Sequence, residues 1–172
     1  MPTETLSHLM DALDFDAADL AANQAGQLSP RQRATLTNQR RLQSWLLTLG
    51  LALTLIAFVL VIRVRLGGAL VLWVGAAITL WALGFGPAQT LVRWLGYDRD
   101  LKQGVVRAAE GRITLRAQPG RRRLYTLALG GQMWAFGPLQ KRLFLAFRDG
   151  DSYRLYYAAG SRSILSAERL GS

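Results

Sequence analysis

Acid–base chemistry in this chain would have to begin with its carboxylates, and the C-terminal half holds six of them: Asp98, Asp100, Glu110, Asp149, Asp151 and Glu168. A working pair must converge in a cleft that drives the two pKa values apart. Asp98 and Asp100 instead follow a long apolar segment, and Glu110 precedes a glycine. Asp149 and Asp151 bracket Gly150, where aspartate serves a turn through its own side-chain hydrogen bonds. The one histidine, His8, lies near the N-terminus, with no second imidazole for a metal site and no cysteine to activate. A Ser-His-Asp arrangement would need His8 to fold back onto the C-terminal half. Cysteine is absent, which excludes disulfides and thiolate metal sites and fits a reducing compartment. The glycine dipeptides lack phosphate-loop spacing and a following Lys-Ser/Thr. The expectation is a non-enzymatic protein with no cofactor and no metal.

Asn23 to Gln32 has part of the spacing of a calcium loop. With Gly26 at the sixth position, Asn23, Ser29 and Gln32 fall at the third, ninth and twelfth, but Ala21 and Ala25 take the first and fifth. Calcium needs carboxylates at several of these places. The segment reads instead as an elbow between helices.

The elements that would position these residues follow from hydropathy. Leu6, Leu9, Met10 and Leu13 recur at helical spacing, and residues 16–22 form a second helical stretch with acids in its first turn. Gly26 offers a left-handed stop. Ser29-Pro30-Arg31-Gln32 then supplies a cap, a proline at the first helical position and a capping-box glutamine. One continuous helix is predicted from Pro30 to about Ile62. Ser44 to Ile62 gives 19 residues without a charge and Leu66 to Phe85 gives 20, each long enough at about 1.5 Å per residue to cross a hydrocarbon core of roughly 30 Å. The expectation is a transmembrane hairpin over 44–86 (spans 44–62 and 66–85) turning at Arg63-Val64-Arg65. No cleavable leader precedes it, so both segments are expected to persist. Gly50 and Ala57, and Gly68, Gly75 and Ala82, repeat at seven-residue intervals, a small-residue seam that closes the hairpin or joins copies of the chain.

Around this hairpin the sequence predicts an amphipathic helical segment over 1–43, an interfacial linker over 87–100 and a basic β-domain over 101–172. Of the formal charge of +10, most lies after Ala88, with 15 basic residues against six acids. Arginines before the first span and Arg93, Arg99, Lys102 and Arg107 after the second place both termini in the cytoplasm, with Trp45 and Trp94 where interfacial aromatics belong. Residues 105–106, 112–116, 124–129, 132–136, 143–148 and 152–157 read as short strands parted by turn signals, and residues 163–170 as a last strand or a short helix. Together they predict a small antiparallel β-barrel or sandwich. Tyr125, Leu127, Leu129, Tyr153, Leu155 and Tyr157 supply inward faces, and Trp134 and Phe136 read as core.

Asp19-Leu20-Ala21-Ala22-Asn23 through Gln32, the two apolar segments, and Tyr153-Arg154-Leu155-Tyr156-Tyr157 through Glu168 together resemble a group of uncharacterised bacterial two-span membrane proteins. In plan the chain is similar to bacterial PH-like and NfeD-like proteins. The resemblance implies a bacterial inner-membrane protein and no activity. The functional expectation is that the basic domain binds a protein partner or anionic lipid headgroups, or that the chain is an accessory, self-associating subunit of a membrane complex. Nucleic acid is not expected, since no motif for it is present. Arg121-Arg122-Arg123 is either the cationic contact or a solvated turn guarding a strand edge, with Arg93 and Trp94 seating the domain.

Overall fold

Local signals set the helix ends. The structure, a computed structural model, describes residues 2–63, 75, 87–118, 124–136 and 141–170, and of 2–5, 53, 57–63, 87–89, 118 and 124 the backbone alone. Helix α1 (Pro2–Leu13) stops where Asp14 turns left-handed at φ 53°. There the Phe15 N–H donates back to the Met10 carbonyl at 3.1 Å, a Schellman-type stop that turns Phe15 into the core. Helix α2 (Ala17–Gln24) opens on a reciprocal capping box. The Asp19 N–H donates to Asp16 Oδ1 at 2.7 Å and the Asp16 N–H to Asp19 Oδ2 at 3.1 Å. Gly26, at φ 76°, ends the turn. A second capping box, Ser29 with Gln32, starts helix α3 (Pro30–Arg63), which runs unbroken for 34 residues. Helix α4 (Pro87–Gln103) returns beside it and leads into the strands.

Six strands make two antiparallel sheets. One has the order β1 (Val106–Arg112), β5 (Ser152–Ala158), β6 (Ile164–Arg169); the other β2 (Thr114–Gln118), β3 (Leu124–Leu129), β4 (Gln132–Phe136). The chain changes sheets at Ile113, which is 1 % exposed, donates its N–H to the Asp151 carbonyl and accepts from the Gly150 N–H. The β3–β4 hairpin turns on Gly130 and Gly131, both with positive φ, as a two-residue turn matched to strand twist requires. Between β4 and β5 lies a short helix, α5 (Lys141–Leu145).

One hydrophobic core joins both sheets to the N-terminal helices. Leu127, Tyr153 and Leu155 are fully buried against Trp134, Phe136 and Tyr157, with Leu9 and Phe15 from the chain's beginning among them. Tyr153 meets Phe147, and Trp134 meets Tyr157, edge to face at 5.4 Å. Polar contacts fix the register of this packing. Asn23 Nδ2 donates to Ser166 Oγ at 2.6 Å, and Gln32 Nε2 donates to the Leu165 carbonyl at 3.2 Å. All three side chains involved are buried, so each bond satisfies groups that burial would otherwise penalise.

Three expectations are corrected. The transmembrane hairpin over 44–86 is not found: among the described residues no helix is long and apolar enough to cross a membrane. The second span, 66–85, lies outside the described residues apart from Gly75. With the hairpin goes its consequence, multi-pass placement in a bacterial inner membrane with cytoplasmic termini. The strands also form no closed barrel, because the chain's change of sheet at Ile113 leaves two separate three-stranded sheets; the architecture is α+β. Finally, the segment 143–148 is not a strand. Phe144 and Phe147 are both buried, but at the spacing of one helical turn, three residues apart.

Candidate interaction surface

Helix α4 is fastened to the sheets at one end and to α3 along its length. At its base Asp100, 1 % exposed, accepts the backbone N–H groups of Gly160 and Ser161 at 2.6 and 2.7 Å. Gly96, one turn earlier, lies against Gly160. A Cβ on Gly96 would sit 2.6 Å from the Gly160 oxygen, and one on Gly160 2.5 Å from the Gly96 oxygen. Only two glycines permit this approach. Beyond the base, Asp98 Oδ1 accepts from Arg40 Nη1 at 2.8 Å and Trp94 Nε1 donates to Ser44 Oγ at 2.9 Å. These two contacts set α3 and α4 antiparallel, with Arg40 level with Asp98 and Ser44 level with Trp94.

That alignment sorts residue types along the pair. Nearest the sheets are Arg33, Arg40, Arg41, Arg99 and Lys102; next come Trp45, Arg93 and Trp94; from Leu46 to Ile62 on α3, and from Pro87 to Val92 on α4, there is no charge. The apolar end is open. Trp45 and Val92 are each 68 % exposed and Leu55 is 64 %, with Leu46, Leu49, Leu51, Ile56 and Leu91 exposed beside them. Large apolar side chains exposed together at one end of a helix pair mark a contact surface.

Asp98 links this surface to pH. The Lys102 ammonium, 2.7 Å away, and the Arg40 guanidinium hold its carboxyl below the ordinary value of 3.8. A carboxyl with a folded pKa below its unfolded one adds stability above the unfolded pKa, and this is lost as pH falls through the folded pKa. Acid titration of the full chain should therefore loosen the α3–α4 pair below about pH 4, read as faster amide exchange in α4. In Asp98→Asn that pH-dependent step is absent; its persistence would exclude Asp98 as the cause.

The sequence-predicted site residues are distributed as follows. Arg93 is exposed; Trp94 is half-buried, bracing α3 through Ser44. Arg121, Arg122 and Arg123 lie outside the described residues, as do Gly68 and Ala82, and of Ala57 only the backbone is described. Gly50 is buried, and its carbonyl accepts from Thr54 Oγ1 at 2.8 Å. Gly75 is helical, with open space where a Cβ would stand. The sequence places Arg41 on the charged end of the long helix and does not single out Ser44 and Thr48; the structure brings all three together with Trp45.

The six C-terminal carboxylates are each engaged. Glu110 and Glu168 both pair with Arg154, and Glu168 also accepts from the Tyr156 hydroxyl at 2.8 Å and from Gln24 Nε2 at 3.1 Å. Burial, with Glu168 close by, pushes the Tyr156 hydroxyl above its ordinary pKa. Asp149 accepts from the Leu115 N–H, and Asp151 pairs with Arg169 at 2.8 Å. His8 is exposed, and among the described residues no cluster of His, Cys, Asp or Glu could hold a metal. The calcium-loop residues Asn23, Ser29 and Gln32 turn inward into the packing described above.

No family model, curated protein or solved structure matches this chain.

Proposed function

We propose that this is a non-enzymatic binding protein that docks on an anionic lipid surface, with the α3–α4 pair as the contacting element and the basic α+β domain held beside the headgroups. The observation that carries the reading is the axial order of the pair: cations nearest the sheets, then two tryptophans and Arg93, then exposed aliphatic side chains. An anionic lipid surface offers the complementary order. Each basic side chain near it contributes about 1 kcal/mol, and buried apolar surface about 25 cal/mol per Å². The engagement of all six C-terminal carboxylates by N–H groups, hydroxyls or cations supports the non-enzymatic part of the reading.

Co-flotation of the full chain with phosphatidylcholine vesicles, with and without phosphatidylglycerol, tests it. The expected result is salt-sensitive binding to the anionic vesicles. Leu49→Glu or Val92→Glu, each placing a charge in the apolar contact, should weaken it at least tenfold, given a cost of about 2 to 3 kcal/mol. Both positions are exposed, so the fold should tolerate the change. Unchanged binding in both variants overturns the proposal. Vesicle-independent self-association, lost in the same variants, assigns the face to a second copy instead.

A further inference from the structure

A groove of about 360 Å³ runs along α3 at the boundary between its charged and apolar lengths, lined by Thr37, Arg40, Arg41, Ser44, Trp45 and Thr48. Thr37, Arg41, Ser44 and Thr48 follow one another at intervals of four, three and four, so they share one helix face. Arg40 and Trp45 flank them. Among the described residues no acid lines the groove. We infer that it is a seat for a phosphodiester that carries free hydroxyls, the chemistry of a phosphoglycerol headgroup. The inference rests on the lipid-surface reading above and gives that surface a preferred ligand.

The hydrogen-bond inventory of the groove points to this class. Arg41 has no ion-pair partner among the described residues, and Arg40 gives Asp98 only its Nη1, leaving further guanidinium donors. Ser44 Oγ accepts from Trp94 Nε1, so its own proton remains available to donate. These groups suit phosphate oxygens, which only accept. The two threonines are the reverse. Thr37 Oγ1 donates to the Arg33 carbonyl at 2.8 Å and Thr48 Oγ1 to the Ser44 carbonyl at 3.0 Å. With their protons committed to the helix, both oxygens turn outward as acceptors and call for a donor on the ligand. Headgroup hydroxyls provide donors without charge. An ammonium headgroup would meet Arg40 and Arg41 with no carboxylate to hold it. The exposed Trp45 ring flanks the groove, placing a bound phosphate level with the aromatic belt.

The experiment compares phosphatidylcholine vesicles carrying equal mole fractions of phosphatidylglycerol or phosphatidylserine, which match in net charge, and adds soluble glycerophosphoglycerol as a second arm. The full chain should bind the phosphatidylglycerol vesicles about fivefold more tightly, the size expected for one or two hydrogen bonds. The Thr37→Val/Thr48→Val double variant keeps shape and charge and should erase that preference while still binding both vesicles. Arg41→Gln should weaken binding to both. Equal affinity for the two vesicles in the wild type, or an undiminished preference in the threonine variant, overturns the seat and leaves surface docking intact. Binding of soluble glycerophosphoglycerol, lost in the variants, without any vesicle binding supports the seat for a free phosphate and overturns the lipid-surface reading. Binding of neither probe overturns both.

Discussion

Asp100→Ala is expected to lower the melting temperature of the full chain by roughly 10 °C. The carboxylate is buried and accepts two backbone N–H groups, from Gly160 and Ser161, at 2.6 and 2.7 Å. Alanine leaves both donors without a partner, and because each buried orphan costs about 1 to 3 kcal/mol, a total near 3 kcal/mol is reasonable. In a chain of this size, 1 kcal/mol moves the midpoint by about 2 to 4 °C. Asn keeps one acceptor oxygen but turns an amide donor toward the second N–H, so Asp100→Asn should melt between alanine and wild type. Thermal unfolding followed by circular dichroism decides it. A wild-type midpoint for Asp100→Ala would show that water replaces the carboxylate at no cost.

Gly160→Ala comes second, with an expected loss of about 3 kcal/mol, the upper part of the usual range for overpacking. The new methyl would lie 2.5 Å from the Gly96 carbonyl oxygen and 2.8 Å from Asp100 Oδ1. A flexible side chain could swing away, but here a backbone atom blocks the space. Helix α4 must therefore move off the β5–β6 turn, stretching the Asp100 bonds as it goes. Gly96→Ala meets the Gly160 backbone from the other side at 2.6 Å and should cost about as much. The double variant is the sharper measurement. Once the two backbones have separated, both methyls fit, so the combined loss should fall at least 1 kcal/mol short of the sum. Simple additivity would mean that the two substitutions act at independent places and that the close approach is not what they disturb.

Much of the helical layout was legible because it depends on neighbours in sequence. Ser29, Pro30 and Gln32 announce the start of α3, Gly26 the stop before it, and nothing between Pro30 and Arg63 interrupts the helix. Alternation likewise placed Tyr125, Leu127 and Leu129, and Tyr153, Leu155 and Tyr157, on inward faces. What failed depends on partners far along the chain or on patterns that two structures share. Phe144 and Ala146 are two residues apart and both buried, which mimics a strand, while Phe144 in α5 and Phe147 in the turn just after it, three residues apart, are buried as well. The division into two sheets rests on Ile113 pairing with the Gly150–Asp151 turn, which no local pattern encodes. The span expectation rested on an uncharged run satisfying a length criterion, and among the described residues no helix is long and apolar enough to bear it out. At the candidate surface, Arg93 and Trp94 could be named from sequence. The groove could not, since the groups that Thr37, Ser44 and Thr48 leave free depend on which proton each has already given away.

The pairing of Asn23 with Ser166 joins residues 143 apart in sequence, and Leu9 and Phe15 fill a core closed by the final strand. Synthesis runs the other way, from α1 toward β6. While the ribosome is working, the greasy side of α1 emerges well before β6, the strand it packs on. Closing this core thus waits until β6 has been made, and α1 spends that interval as an exposed apolar segment, dependent on whatever in the cell shelters such segments.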